Sequence, residues 1–482
     1  MASTFHGLEI GKRAIFYQQT ALSITGHNIA NVNTEGYTRQ QAVASASNPL
    51  SYPGLNMGTS PMQLGTGVET KEISRIRDSF LDGQVRSQNE QLGYWNVKHE
   101  TLAKIEQTLN EPSDSGLQAS LDRFWQSWED LSKEPDSFAA RAVVVSNATA
   151  LADRFNQISN SIDTISTDLK SQISAKMMDM NNITKQISEL NTQIAKITAT
   201  GQQPNDLMDQ RDLLIDRISK MADIQVKPAD NGMVDITIGQ QYLVDGAENK
   251  AISFDAGSSQ LSVDGQPISL ASGELAGMVE SLTVDIPSFM AKINELVQVF
   301  SKEVNDIHTD ANAMNLDDIQ NRKNDPDAAL ERIPFFVKKD TSDNPTGAGD
   351  LTVNPLILSS LNKIAAAREE SVGDAQNANR LNDLKFKNVT FSNQTTTVNN
   401  FYRTIIGEIG VQTKEAIQME SNADILVQQA ENQRQSVSGV SIDEEMTNMV
   451  RFQQSYNAAS RYISVMDEVL DKLINSTGRV GI

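Results

Sequence analysis

The stretch GVSIDEEMTNMVRFQQSYNAASRYISVMDEVLDKLINSTG, residues 439–478, decides the fold. Numbered in sevens, one row reads Ile442, Met449, Tyr456, Ile463 and Leu470. The row three residues on reads Glu445, Phe452, Ala459, Met466 and Leu473. All but Glu445 are apolar or aromatic, which is the seam of a coiled coil. No Pro or Gly interrupts Val440 to Thr477. At 1.5 Å per residue, Ile442 to Asn475 predicts a rod roughly 50 Å long. A lone helix with one apolar stripe is marginal in water, because its stability comes from burying that stripe. Something has to cover it.

The cover is sought at the other end of the chain. Leu8, Ile15, Leu22 and Ile29 recur at intervals of seven, with Ala14, Ala21 and Ala30 beside them. They predict a helix over residues 5–31 that partners 442–475. The chain would then be one long hairpin, with everything between as insertions, a topology for assembly rather than for an active site. Periodicity alone equally allows each terminal helix to pack on its own local domain.

With 482 residues the chain has room for two to four domains. Its net charge of −21 argues against nucleic acid and anionic membranes, since both reward a basic surface. The absence of cysteine excludes disulfides and thiolate metal sites. The N-terminus, MASTFHGLEIGKRAIFYQQ, lacks the continuous apolar core of a signal peptide, and no window approaches a membrane span.

After the first helix, GHNIANVNTEGYTRQ (26–40) carries Asn31, Asn33, Thr34 and Gly36, residues that end helices and make turns. Pro- and Gly-rich residues 42–70, with an alternation from Val68 to Ile76, predict an extended or small β segment. Helices follow from Ser74 to Pro112, over 115–133, and over 137–199. In the last of these the apolar row shifts phase near residue 170, predicting a stutter or a bend. Asn205 is placed to cap a helix reaching Met221. From Ile224 the period becomes two, with turn signals DNG (230–232), DG (245–246), AGS (256–258) and DG (264–265), the pattern of a small antiparallel β domain. Helix resumes from Gly273 to Ile307; residues 310–356 read as a β-containing insertion or mobile loop. Residues 355–382 read as helical, 385–391 weakly so, and Val398–Ser436 as a final long run.

The expected fold is mainly α with small β insertions, discontinuous and multidomain. Its terminal helices pair as a coiled-coil-like bundle, beside a long helical-bundle domain and a small antiparallel β domain. The expected boundaries are an axial part of 1–85 with 437–482, a helical bundle of 86–222 with 273–309 and 357–436, a β domain of 223–272, and an insertion of 310–356.

No chemistry is predicted. None of His6, His27, His99 and His308 has helical metal-pair spacing. GTGVETK (65–71) lacks the spacing of a phosphate loop, and nucleophile elbows are missing. Asp306, Asp310, Asn312, Asp317 and Asp318 lack the Gly and Glu of a calcium loop. Asp443, Glu444 and Glu445 read as carboxylates at a helix N-terminus, where Ser441 and Glu444 form a capping box. Neither catalytic residue, metal nor cofactor is expected. A surface enzyme or adhesin displayed by residues 310–360 is a third, minor reading.

GHNIANVNTEGYTRQ resembles the N-terminal signature of flagellar axial proteins, and its GHN and YTRQ flanks resemble the hook-associated protein 1 family. Residues 439–475 are similar to that family's C-terminal helix, and NDLMDQRDLLIDRISKM and GELAGMVES (273–281) also resemble family features. The chain departs from the family in having Glu35 where Pro often precedes the turn glycine, and in a short middle around 310–360. The resemblance implies a structural adaptor: a ring of subunits joining hook to filament, with a rod or hook subunit as the alternative. It implies export through the flagellar type III channel to an extracellular position, after a transient cytoplasmic stage. The implied partners are copies of the chain itself, hook protein, a second junction protein on the filament side, and a cytoplasmic export chaperone on the C-terminal segment. The implied assembly interface comprises Leu8, Ile15, Leu22, Ile29, Asn28, Asn31, Asn33, Gly36 and Tyr37. From the other end it takes Ile442, Met449, Phe452, Tyr456, Ile463, Met466, Leu470 and Leu473. Burying each large apolar member contributes about 1.5–3 kcal/mol, which offsets the cost of ordering a terminus.

Termini that order only on assembly predict a contrast in amide exchange. Fast exchange of residues 1–45 and 435–482 in the purified monomer, with slow exchange of residues 140–200, would show such termini; strong protection at both ends would show the hairpin already formed.

Overall fold

The computed structural model describes residues 5–49, 65–392 and 394–476. Helix α1 (His6–Ala30) leads into an antiparallel hairpin of β1 (Gln40–Ala46) and β2 (Val68–Arg75). Residues 50–64, part of the expected β segment, lie outside the described residues. Asp78 caps α2 (Ser79–Leu109), its carboxylate accepting from the Phe80 amide. The helix expected from Ser74 starts later because pairing with β1 keeps Ser74 and Arg75 extended.

Helices α3 (Leu117–Lys133), α4 (Phe138–Thr198) and α5 (Asn205–Met221) follow. The phase shift in α4 leaves the helix unbroken, and its buried seam moves with the pattern. Phe155, Ile162 and Leu169 are buried first, then Ile173, Met180, Ile187 and Ile194. Asn205 does not cap α5: it sits inside the helix, where its amide donates to the Ile73 carbonyl at 2.9 Å.

The β region forms two antiparallel sheets. One holds β3 (Ile224–Pro228), β4 (Val234–Ile238), β5 (Gln241–Asp245) and β6 (Glu248–Asn249) in that order. The other holds β7 (Ile252–Asp255), β8 (Gln260–Val263) and β9 (Gln266–Ile268). Three of the turn signals carry left-handed residues, at Asn231-Gly232, Gly246 and Asp264-Gly265. Two asparagines of α4 anchor the sheets. Asn191 donates to the Val234 and Gly246 carbonyls, both at 2.7 Å, and Asn181 bonds both backbone groups of Ile252.

Helix α6 (Glu274–Glu280) passes through a π turn, Ser281–Asp285, into α7 (Ile286–His308). Residues 310–356 are not a detached loop. They contain α8 (Leu316–Asn324) and a two-stranded sheet of β10 (Phe336–Lys338) and β11 (Leu351–Val353). Phe335 and Phe336 are fully buried against Phe124 of α3 and Phe300 of α7, with ring centroids 5.3–6.4 Å apart. An aromatic pair of that size stabilises by burial, and here it welds the segment to the core.

The helix expected over 355–382 is broken into α9 (Pro355–Ser359), a 3₁₀ turn and α10 (Gln376–Asp383). Between them Ala367 bridges to Met314, and the Ala365 amide donates to His308. Those tertiary bonds outcompete alanine's helix propensity. In place of weak helix near 385–391 stands β12 (Val389–Thr390), paired with β13 (Thr395–Thr396). Helices α11 (Val398–Ser438) and α12 (Ile442–Asp471) complete the chain. Among the described residues no helix is long and apolar enough to cross a membrane.

Two buried groups titrate in opposite senses. His308 donates from Nδ1 to the Ile333 carbonyl and accepts at Nε2 from the Ala365 amide, so only the neutral ring fits, and burial pushes its pKa down to about 4. Its contribution is full above the unfolded value near 6.5 and is lost as pH falls toward 4. Burial pushes the Glu90 carboxyl up to about 7, against bonds from the Ile224 amide and the Ser272 hydroxyl. Its contribution is present below the unfolded value near 4.5 and is lost as pH rises through 7. Glu90→Gln should therefore raise stability by about 1–2 kcal/mol at pH 8 and leave it unchanged at pH 4. Thermal unfolding at both pH values checks this; equal effects at both would refute the charge argument.

Candidate assembly interface

Helices α1 and α12 lie side by side and antiparallel. Gly7 faces Met466, Gly11 faces Ile463, Ala21 and Ile24 cluster with Phe452, and Asn28 meets Glu445. The approach is close. A Cβ built on Gly7 would lie 2.3 Å from Met466 Cε, and one on Gly11 would lie 2.5 Å from Ile463 Cγ1. The N-terminal half of the α1 face nearest α12 thus has glycine at its closest approaches, Gly7 and Gly11. Leu8, Ile15, Leu22 and Ile29 are half-buried.

On α12, Met449, Phe452, Tyr456, Ile463 and Met466 are half-buried, Leu470 is buried, and Ile442 and Leu473 are exposed. A second apolar set points outward from the pair: Met446, Val450 and Val465 are 57%, 58% and 54% exposed. In the turn, Asn28 is buried, Asn31 and Tyr37 are half-buried, and Asn33 and Gly36 are exposed. Gly36 adopts φ +78°, and a Cβ there would meet Leu213 of α5 at 3.1 Å.

The turn closes on a polar knot. Asn28 Nδ2 donates to Glu445 Oε2 at 3.0 Å and to the Gln40 carbonyl at 2.9 Å, while Asn28 Oδ1 accepts from the Gln40 amide and the Tyr37 hydroxyl. Arg39 Nε donates to Glu445 Oε1 at 2.8 Å, and its terminal nitrogen reaches Glu444 at 2.7 Å. Glu445 is only 2% exposed. Burial, then the charges of Asp206, Asp209 and Glu445, raise the Tyr37 pKa, so its hydroxyl stays a donor. Helix-end capping alone therefore does not account for the acidic triplet at 443–445. Ser441 does accept from the Glu444 amide, but Glu444 and Glu445 are also partners of Arg39.

Behind the knot lies a layer of ion pairs. Arg75 bonds Asp209 and Asp212 of α5, both at 2.8 Å, Arg77 bonds Asp82 at 2.7 Å, and Arg86 bonds Asp216 at 2.7 Å. Arg434 of α11 also pairs with Asp216. Burial raises the Asp209 carboxyl despite the bonds from Arg75 and Thr38. Burial would raise Asp212 too, but Arg77, Arg75 and Arg211 outweigh it and hold Asp212 low.

Arg39, Gln40, Arg75, Arg77, Asp209, Asp212 and Glu445 were not singled out from the sequence as interface residues. Two signals were available. Glu445 is the one charge in an apolar seam, which demands a partner. Asp209, Asp212 and Asp216 recur at helical spacing on one face of α5. Among the described residues no group of three or more His, Asp or Glu could hold a metal ion.

Long terminal helices pair across the whole chain, with folded segments inserted between them, and both ends match families of flagellar axial proteins. Residues 8–38 match the family described as flagella basal body rod protein, and residues 431–476 match the C-terminal family of flagellar basal body rod FlgEFG proteins. Residues 102–321 match the flagellar hook-associated protein FlgK helical domain. The chain is 35% identical to flagellar hook-associated protein 1 of Bacillus subtilis (strain 168), over 99% of each chain. It is 26% identical to the protein of that name from Escherichia coli (strain K12), over 95% of this chain and 97% of the relative. This chain belongs to the flagellar hook-associated protein 1 family. The fold is similar to that of the flagellar hook junction protein FlgK from Burkholderia pseudomallei. The TM-score is 0.63 at 14% identity, covering 74% of this chain and all of the other.

Replacing Glu445 takes a buried charged acceptor from Arg39, which keeps Glu444, and from Asn28, which keeps the Gln40 carbonyl. Glu445→Ala should destabilise the α1–α12 pair by about 2–4 kcal/mol and leave the body intact. Amide exchange should then rise in residues 6–30 and 442–471 alone; unchanged protection there would refute the role given to the knot.

Proposed function

We propose that this chain is a structural adaptor of the bacterial flagellum, whose paired terminal helices self-assemble into the ring that joins hook to filament. The observation that carries the reading is the unfinished burial of the terminal pair. Helices α1 and α12 cover one stripe of each other while Met446, Val450, Val465 and Val469 still face outward. Apolar residues set along one exposed helix mark an interaction surface, and in a ring the neighbouring copy is what meets it. Leu8, Ile15, Leu22 and Ile29, half-buried on α1, belong to that interface in our reading. So do the turn residues and the α12 seam.

We divide the chain into an axial unit of 1–85 with 437–482, a helical body of 86–222 with 273–309 and 357–436, and a β domain of 223–272. Residues 310–356 complete the body, since Phe335 and Phe336 are part of its core. Hook protein meets the ring on one side and a second junction protein on the other. Before export a cytoplasmic chaperone covers the C-terminal segment, whose apolar seam would otherwise meet water. The mature position is extracellular, and the function needs no catalysis. The alternative, a hook or rod subunit, draws on the terminal matches, which axial families share; the match at residues 102–321 favours the junction.

Deleting residues 440–482 should abolish incorporation into the ring, and with it motility, while far-UV dichroism still reports a folded helical body. A truncated chain that assembles would end the terminal-packing account. Finding the full chain along the whole hook would favour the alternative.

A further inference from the structure

We infer that the charged layer between the terminal unit and the body is a swivel, which lets the two rotate against each other without exposing apolar surface. The apolar clusters come first. Ala21, Ile24 and Ala42, with Tyr17, Ile73 and Phe452, form one; the much larger core of the body forms another, and the two share no residue. Within the axial unit, the terminal helix pair and its hairpin join the rest of the chain at two places, residues 76–78 and 439–441. What fills the joint is charge and hydrogen bonds: the Thr38 amide donates to Asp209, Gln40 donates to Asp206 and Asn205 donates to the Ile73 carbonyl, bonds that pass to water on rotation at modest net cost.

The pairing in that layer is shared rather than one to one. Asp212 lies 2.8 Å from Arg75 and 3.5 Å from Arg77. Asp209 lies 2.8 Å from Arg75 and 3.9 Å from Arg77. Asp82 lies 2.7 Å from Arg77 and 3.6 Å from Arg434. A carboxylate with two guanidinium neighbours can pass from one to the other through a short displacement, so rotation exchanges ion pairs instead of breaking them. A hydrophobic interface has no such freedom, since parting any two apolar side chains exposes their area to water.

There is also room to move. A cleft of about 1040 Å³ opens between the 32–39 turn and the faces of α5 and α11. Arg217 and Lys220 stand on its α5 wall, and Glu35 and Glu444 stand on the terminal-unit wall. Arg217 already lies 3.8 Å from Glu35. Closing the cleft would bring this second set of opposite charges together as the first set loosens. The inference deepens the adaptor reading, on which its purpose rests: a subunit seated between two different lattices has to fit both. Its mechanics do not depend on that reading.

The test uses the full chain, whose lack of cysteine lets spin labels be placed at will. Exposed Gln19 on α1 and Asp168 on α4 are replaced by cysteine to report across the joint; Gln19 and exposed Arg461 on α12 report within the terminal unit. Pulsed dipolar spectroscopy then compares low salt with about 1 M salt, and wild type with Arg75→Gln/Asp209→Asn and Arg77→Gln/Asp212→Asn. The distance distribution across the joint should broaden roughly twofold in high salt and in both variants, while the distance within the terminal unit stays fixed. An unchanged distribution across the joint overturns the swivel. So does loss of the inner distance, which would mean that the terminal unit comes apart instead of turning. Neither readout uses ring assembly, so failure of the adaptor reading would show separately, in incorporation.

Discussion

One buried carboxylate fixes where the two ends of this chain meet. Glu445 occupies a position in the seam of α12 that its apolar neighbours would fill with a hydrophobe, and it is closed off from water by Asn28 and Arg39. A helix pair held by apolar packing alone can slide by a turn at modest cost. Glu445 cannot follow such a slide, because a shift of one turn would carry it past both Asn28 and Arg39 and strand it in a low-dielectric site, whereas Asp82, Asp209 and Asp212 each have a second guanidinium within 4 Å. The small residues at Gly7 and Gly11 act in the same direction, since they give Met466 and Ile463 notches to enter. Register is thus set by a charge at one end of the pair and by shape at the other.

The body is built on the opposite principle. Its core is continuous from the aromatic group around Phe124, Trp125 and Trp128, along α4, to the β3–β9 sheets. The asparagines Asn181 and Asn191 show how an apolar helix face accommodates polar strand edges: each side chain closes unpaired backbone groups that would otherwise be buried unsatisfied. The 61-residue helix α4 therefore serves as spine for both layers. The terminal unit, with one helix pair and a hairpin, has far less apolar area to bury by itself. In a ring its copies would supply one another with the remainder.

Between these two parts the interface is ionic. Arginine suits it: the guanidinium stays charged when partly buried and offers several donors to neighbouring carboxylates. Such a layer holds direction and spacing while tolerating displacement. That division, a firm body and a partly covered terminal pair joined through charge, suits a subunit that belongs to a lattice without being part of its repeating wall.

Much of this was legible in the chain itself. Period-seven rows marked α1, α4 and α12, period two with DG turns marked the sheets, and the terminal motifs marked the family. Those features are local, and local periodicity reflects which face is buried wherever a segment packs. The close approach of α1 to α12 was not legible, because it is made at Gly7 and Gly11, which carry no hydropathy signal. Residues 310–356 looked polar by composition, yet Phe335 and Phe336 inside them complete the core. The roles of Glu445, Arg39, Asp209 and Asp212 depended on partners more than a hundred residues away in the chain. The sequence by itself determined the long helices and that the two ends seek cover. Only the tertiary structure decided how those ends register and where charge replaces hydrophobic packing, because a buried charge is intelligible only beside the group that neutralises it.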